Sequence, residues 1–400
     1  MRQSFSDLMK TLGISPRFFS MIAALAIIWI ILNILTDGTF LTGRNLYNLA
    51  VQSSVVGIMS TGMVLIIVAR HIDLSVGSLL GFSGMVLAIF QVNILNPDSE
   101  YQWIFSVFAC LAVGGLAGMF QGYWVAYRGV PAFIITLAGL LMFRGASFEV
   151  ADGKTIAPMS EVFQLLGGGV NGAIGASWSW ALGLIAILVL VASTYLSRRR
   201  RKEFDFQVKP LWADLIMLTL YSGIIIAFVM VMNSYMKPRS DIPRGIPVPV
   251  LILILTTIVM TVVAKSTRFG RHIFAMGSNP EAAELAGINT KKVTMMIFMI
   301  MGVLAAIAAI ITVARLNAGT NSMGTLQELN VIAAAVIGGT SLAGGIGTIP
   351  GAILGAVIMQ SLENGMVLLG VSSSMRQIVI GVVLILAVWF DVVYNNKNRR

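Results

Sequence analysis

The segment Ser278–Gly287 (SNPEAAELAG) carries the most purposeful arrangement of polar residues in this chain. Asn279 is a capping side chain, because its amide oxygen accepts from the N–H groups that a first helical turn leaves unpaired. Pro280 suits the first helical position, where its missing N–H costs nothing. Glu281 meets the positive end of the helix dipole. Gly287 supplies the left-handed stop at the other end. The spacing predicts a two-turn helix, slim because Ala282, Ala283 and Ala286 are small. It is bracketed by Arg268, Arg271, Lys291 and Lys292. Such a helix performs no covalent step; its use is to enter a groove on a partner. A helix lying flat at lipid headgroups is the competing reading, and the weak segregation of apolar residues argues against it.

The remaining polar residues point to passage of a neutral solute rather than to catalysis. Asn48 and Gln52 share a helix face at i, i+4, and Gln360, Glu363 and Asn364 share another at i, i+3, i+4. Asn48, Gln52, Gln360 and Asn364 are candidates for a translocation pathway. The other reading is hydrogen bonding that holds helices together within a membrane. Proton-coupled transport needs buried carboxylates as relays, and few are present. His71 and His272 are the only histidines, and neither has metal-ligand spacing. No Walker A sequence occurs. The expectation is no catalytic residue, no metal site and no cofactor held by this chain. If ATP supplies the energy, another chain binds it.

These residues must be positioned by membrane helices. Hydrophobic residues make up 57% and charged residues 11% of the 400, against about 25% charged in a soluble domain. That excludes a cytosolic enzyme, a disordered chain and a nucleic-acid binder. The net charge of +10 resolves into loop positions rather than a nucleic-acid patch. Phe18–Leu35 is an apolar run rising about 27 Å as a helix, close to the hydrocarbon thickness. Eleven further runs follow, near 47–69, 74–92, 103–127, 131–148, 176–197, 211–234, 247–264, 293–313, 329–346, 350–370 and 377–394. The expected fold is an all-α polytopic bundle of ten to twelve membrane segments. It comprises a cytoplasmic segment 1–17, a single transmembrane domain 18–394 with a cytoplasmic loop at 265–292, and a cytoplasmic tail 395–400.

With both termini inside, the loops 1–17, 70–73, 128–130, 198–210, 265–292 and 395–400 hold 19 of the 27 Lys and Arg. Arg44, Lys154, Lys237, Arg239, Arg244, Arg315 and Arg376 fall outside. This bias sets orientation, since basic loops resist translocation. Arg198–Lys202 is the strongest single contribution, read as a stop-transfer anchor in preference to lipid or partner recognition. Arg144, near the outer end of its span, is placed to snorkel to the interface. Glycines recur at helical steps (Gly77, Gly81, Gly84; Gly114, Gly115, Gly118), a pattern that lets helices approach closely. Ile337–Gly351 (IGGTSLAGGIGTIPG) is too glycine-rich for one continuous helix and predicts a break between two membrane segments. Asp73, Gly77, Gly339, Gly344 and Gly345 are candidates for broken helices that gate.

The segment Phe269–Val293 (FGRHIFAMGSNPEAAELAGINTKKV) resembles the coupling loop of bacterial ABC sugar-importer permeases of the ribose/xylose branch. Gly62–Gly77 with its IDLSVG core, Trp124–Gly145, Ala333–Gly345 with GGTSLAGG, and Ser361–Met366 (SLENGM) match the same family in the same order, over nearly all of residues 15–394. Trp124–Arg128, Arg244–Pro249 (RGIPVP) and Leu386–Asp391 (LAVWFD) look most like the D-xylose subgroup. Met276 and Ser278 stand where the branch often has Ile and Gly, and Glu284 where Arg is common. The resemblance implies a monosaccharide importer subunit in the bacterial inner membrane, in contact with lipid and paired with a second permease subunit as a homodimer. A cytoplasmic ATPase would hydrolyse ATP with Mg beneath it, and a periplasmic binding protein would deliver the sugar. By the same resemblance, Asn279, Pro280, Glu281, Ala282, Ala283, Glu284 and Gly287 belong to the ATPase-coupling helix. The alternatives are an ion-coupled secondary sugar transporter and a passive channel.

Overall fold

The structure, a computed structural model, describes residues 11, 13, 15–95 and 101–398, with side chains up to 389. Most of the expected segment 1–17 and residues 399–400 of the tail lie outside the described residues. Two helices form the axis of the molecule: α2 (Gly43–Val68) and α12 (Thr290–Leu316). Both are apolar on every side, and such helices belong in an interior; most residues of each are buried. They run antiparallel, so Gly62 of α2 lies against Met301 and Leu304 of α12.

Around this pair the chain repeats one arrangement twice. Following α2 are α3 (Val76–Ile89), α4 (Gln102–Arg128) and α5 (Ala132–Glu149). Following α12 are α13 (Gln327–Ile337), α14 (Ile349–Leu368) and α15 (Ser373–Asn398). α2 packs on α12, α13 and α14, and α12 packs on α2, α3 and α4. α3 packs on α4 and α5 as α13 packs on α14 and α15. The antiparallel axis makes this an inverted repeat, an architecture that places broken helices at membrane depth.

The outer elements are α1 (Pro16–Leu35), the hairpin of α7 (Gly175–Glu203) and α8 (Leu211–Asn233), and α9 (Val248–Ser266). α1, α7 and α8 are little buried, and they present Ile and Leu outward, as lipid-facing helices do. A short helix α6 (Glu161–Gln164) sits in the connection from α5 to α7. Ten helices are long and apolar enough to cross a membrane, and Gln327–Ile337 and Ser373–Trp389 are shorter apolar helices. The expected ten to twelve segments are therefore present. Among the described residues, extended pairing is confined to isolated bridges such as Ile156 with Gly319.

A close seam joins α4 to α12. A Cβ on Gly302 would lie 2.0 Å from the Gly114 carbonyl oxygen, and one on Gly118 would lie 2.2 Å from that of Phe298. Backbone touches backbone there, which only glycine permits.

The loops expected on one side of the membrane gather at one end of the bundle. Gly13 abuts Lys209, Arg17 abuts Gly339, and Gly122 near the end of α4 abuts Met295 at the start of α12. Three of the arginines expected in opposite-side loops are instead built into the protein. Arg244 is buried, with its guanidinium 4.2 Å from the Tyr235 ring centre and 5.5 Å from that of Tyr47. Arg315 and Arg376 line an internal recess described below.

Candidate functional site

The segment 265–292 is not a loop. α9 continues after one residue into α10 (Arg268–Ser278), then α11 (Pro280–Leu285), then α12. Thr267 caps α10 by accepting from Gly270 N at 3.1 Å. Asn279 caps α11 by accepting from Ala282 N at 3.1 Å, and Asn289 caps α12 by accepting from Lys292 N at 2.9 Å. Gly287 adopts φ +81° and ends α11. Glu284 accepts from Thr290 Oγ1 at 2.6 Å, which ties α11 to the start of α12.

The six residues of α11 present two unlike faces. Ala283 is buried against its own chain, so it packs inward rather than toward a partner. Glu281, Ala282 and Gly287 are exposed. Leu285 is 91% exposed, the most exposed large hydrophobic side chain of the described residues.

This elbow is wired to the bundle. Arg70, just beyond α2, donates from Nε to Gly277 O at 2.7 Å and from Nη2 to Ser278 O at 2.8 Å. Gly345 N donates to Val68 O at 2.9 Å. A Cβ on Gly277 would lie 1.9 Å from Val68 O and 2.8 Å from Gly345 N. Three chain segments meet here backbone against backbone at Val68, Gly277 and Gly345. Gly339, Gly344 and Gly345 all have positive φ, and they shape the break between α13 and α14 that the glycine-rich stretch predicted.

The two broken helices meet start to start. A Cβ on Gly77 would lie 2.3 Å from both Gly324 O and the Glu328 carboxylate. Asp73 precedes α3 and is buried; its Oδ1 accepts from Ser75 N at 2.8 Å and Ser75 Oγ at 2.7 Å. Gln121 of α4 joins the same Ser75 hydroxyl at 2.8 Å. Glu328 occupies the first turn of α13 and is buried. Arg144 turns toward the protein. It donates to Asn321 O at 3.1 Å and Met323 O at 2.8 Å, and so braces the unwound stretch between α12 and α13. Irregular backbone gains from such donors, because its carbonyls have no helical partner.

In the half of the bundle away from α11, a recess of about 290 Å³ is lined by Gln52, Arg315, Gln360, Glu363, Asn364 and Arg376, among others. Three of the four predicted pathway residues are thus brought together. The fourth, Asn48, is half-buried and does not line it. Glu363 Oε2 accepts from Gln360 Nε2 at 2.9 Å and Asn330 Nδ2 at 3.1 Å. Asn364 is partly committed elsewhere, accepting from Asn45 Nδ2 at 2.9 Å. On the same wall Gln327 Oε1, Asn330 Oδ1 and Arg376 Nε are buried without partners. The site offers both donors and acceptors at the small end of ligand-cavity volumes, ~300 Å³.

Residues 45–388 match the model of a family described as branched-chain amino acid transport system / permease component. The chain belongs to this permease family. The permease is 40% identical to the xylose transport system permease protein XylH of Haemophilus influenzae, over 98% of this chain and 99% of that one. It is 39% identical to XylH of Escherichia coli K12 over 95% and 92%, and 34% identical to the ribose import permease RbsC of that strain over 93% and 92%. The permease stands in the ribose/xylose branch, as a multi-pass inner-membrane protein. No solved structure matches it.

Sequence reasoning missed α10, Arg70 and Leu285 of the permease. Phe269, Ile273 and Met276 recur at helical spacing, a signal masked by Gly270 and Gly277. Among the described residues no group of three or more His, Cys, Asp or Glu could hold a metal ion.

Proposed function

We propose that the chain is the membrane-spanning subunit of an ATP-driven importer of a monosaccharide, D-xylose or a related pentose or hexose. The observation that carries this reading is the elbow α10–α11, with an outward Leu285 and an inward connection through Arg70. The named functions of the XylH and RbsC relatives supply the sugar class.

The end bearing α11 is cytoplasmic, because the basic loops gather there. A separate ATPase grips α11 and hydrolyses ATP with Mg. Its closure pushes the elbow, and Arg70 passes the displacement to the end of α2 beside Asp73 and α3. The contact of Gly345 with Val68 passes it to the break before α14. The two broken helices then shift against each other at Gly77 and Gly324. Backbone-to-backbone seams suit such sliding, since no side chain must repack. A second copy of this subunit completes the pathway, and a binding protein delivers sugar to the end away from α11. The polar recess is the part of the pathway where sugar hydroxyls exchange water for Gln52, Gln360 and the unpaired amide oxygens nearby. Arbitration between two bundle arrangements needs only that each partner state prefers a different one by a few kcal/mol.

The Arg70→Met variant tests the connection. It removes two charge-assisted hydrogen bonds made by an exposed side chain. The variant should insert in membranes and bind the ATPase, yet show sugar-stimulated ATP hydrolysis lowered about tenfold. Unchanged stimulation would mean that force does not travel through this contact.

A further inference from the structure

α7 has 29 residues and rises about 43 Å, longer than the ~30 Å hydrocarbon layer. Its last turns, with Arg198–Lys202, therefore project through the headgroup region. There the hairpin of α7 and α8 encloses two adjoining recesses. One, of about 410 Å³, is lined by Ser193, Thr194, Ser197, Arg198, Arg201, Lys209 and the Asp214 carboxylate, which Arg198 neutralises. The other, of about 520 Å³, is mostly apolar and is lined by Leu196, Arg200, Phe204 and Phe206 together with Ser193, Ser197 and Arg201. The two share Ser193, Ser197 and Arg201, so the lining turns from hydroxyls and cations to hydrocarbon across one helical face.

The cations are not equivalent. Arg198 is engaged by Asp214 and the Lys209 carbonyl. That bridge fixes the hairpin and leaves Arg200 and Arg201 exposed at the mouth. Phe204 and Phe206 are 69% and 68% exposed, where a headgroup layer accommodates aromatic rings. The Ser193 and Thr194 hydroxyls donate to the Leu190 carbonyl at 2.9 and 2.8 Å, so the guanidinium groups are the donors that match a phosphodiester, and a basic pocket between membrane helices fits an anionic headgroup.

We propose that this double recess binds one anionic phospholipid, with the phosphate at Ser197, Arg200 and Arg201, the Phe204 and Phe206 rings beside its headgroup, and an acyl chain descending along Leu196 into the hydrocarbon layer. The lipid would clamp the α7–α8 hairpin, which otherwise has little packing against the bundle. This assignment is independent of the transport reading.

The full chain, extracted in mild detergent and incubated with equal phosphatidylglycerol and phosphatidylethanolamine, is examined by native mass spectrometry. One phosphatidylglycerol should be retained per chain, with phosphatidylethanolamine at least tenfold less occupied. The Arg200→Gln/Arg201→Gln variant should lower phosphatidylglycerol occupancy about tenfold. The Phe204→Ser/Phe206→Ser variant should lower it while the cations remain. These positions are exposed, so bundle packing is untouched. Equal retention of the two lipids, or unchanged occupancy in the cation variant, overturns the proposal. Displacement of the lipid by an equimolar amount of inorganic phosphate overturns it too, in favour of a free-anion site.

Discussion

Replacing Leu285 with Asp should lower sugar-stimulated ATP hydrolysis of the assembled importer about a hundredfold. Leu285 stands 91% exposed at the end of α11, and in the proposed assembly a groove on the ATPase takes it out of water. Burying a leucine side chain contributes about 1.5–3 kcal/mol. The aspartate forfeits that and leaves a carboxylate to be desolvated in its place. A deficit near 3 kcal/mol is about two orders of magnitude in association. The isolated subunit should be unaffected, since Leu285 contributes nothing to its own fold. Co-purification of the ATPase should fall in step with activity, whereas intact association with lost activity would move Leu285 from docking to transmission. Leu285→Met should restore most of both, because an apolar anchor of similar volume remains.

The second large effect lies at the other end of the bundle. The Gln52→Leu/Gln360→Leu variant removes two amides from the recess wall. A sugar hydroxyl left unpaired there costs about 1–3 kcal/mol, so two such losses should reduce kcat/KM for uptake roughly a hundredfold. Glu363 also loses one of its two amide donors. Assembly with the ATPase should persist, because the recess is remote from α11. The KM should bear most of the change if the sugar rests in the recess. A fall in kcat alone would mean that these amides serve the moving helices and not the solute.

What the sequence disclosed, and what it withheld, follows from the range of each interaction. The caps at Asn279 and Asn289 and the stop at Gly287 are local, and their residue types announce them. The break between α13 and α14 was legible for the same reason: a run of glycines cannot hold one helix. Which way α11 faces was not. A six-residue helix has too few turns for a pattern, so packing against its neighbours decides that Ala283 points in and Leu285 out. Arg70 is a lone cation at a span end in the sequence, and its acceptors lie more than two hundred residues away. Arg315 and Arg376 count as outer-loop charges until folding brings them to the recess. Arg144 illustrates the same lesson. Position near a span end predicts snorkelling, whereas the acceptors that hold the guanidinium, the carbonyls of Asn321 and Met323, lie nearly two hundred residues away in the chain. The inverted repeat left no legible mark, because it is a relation between packing partners rather than between residue strings.

The central claim is that this chain moves sugar on energy supplied by a nucleotide-hydrolysing partner. Uptake into proteoliposomes carrying the permease, its ATPase and its binding protein tests that directly. Labelled sugar should accumulate only when ATP is present on the ATPase side, and ionophores that collapse every proton and sodium gradient should leave the rate unchanged. Accumulation without ATP, or its disappearance when the gradients collapse with ATP still abundant, would contradict the account.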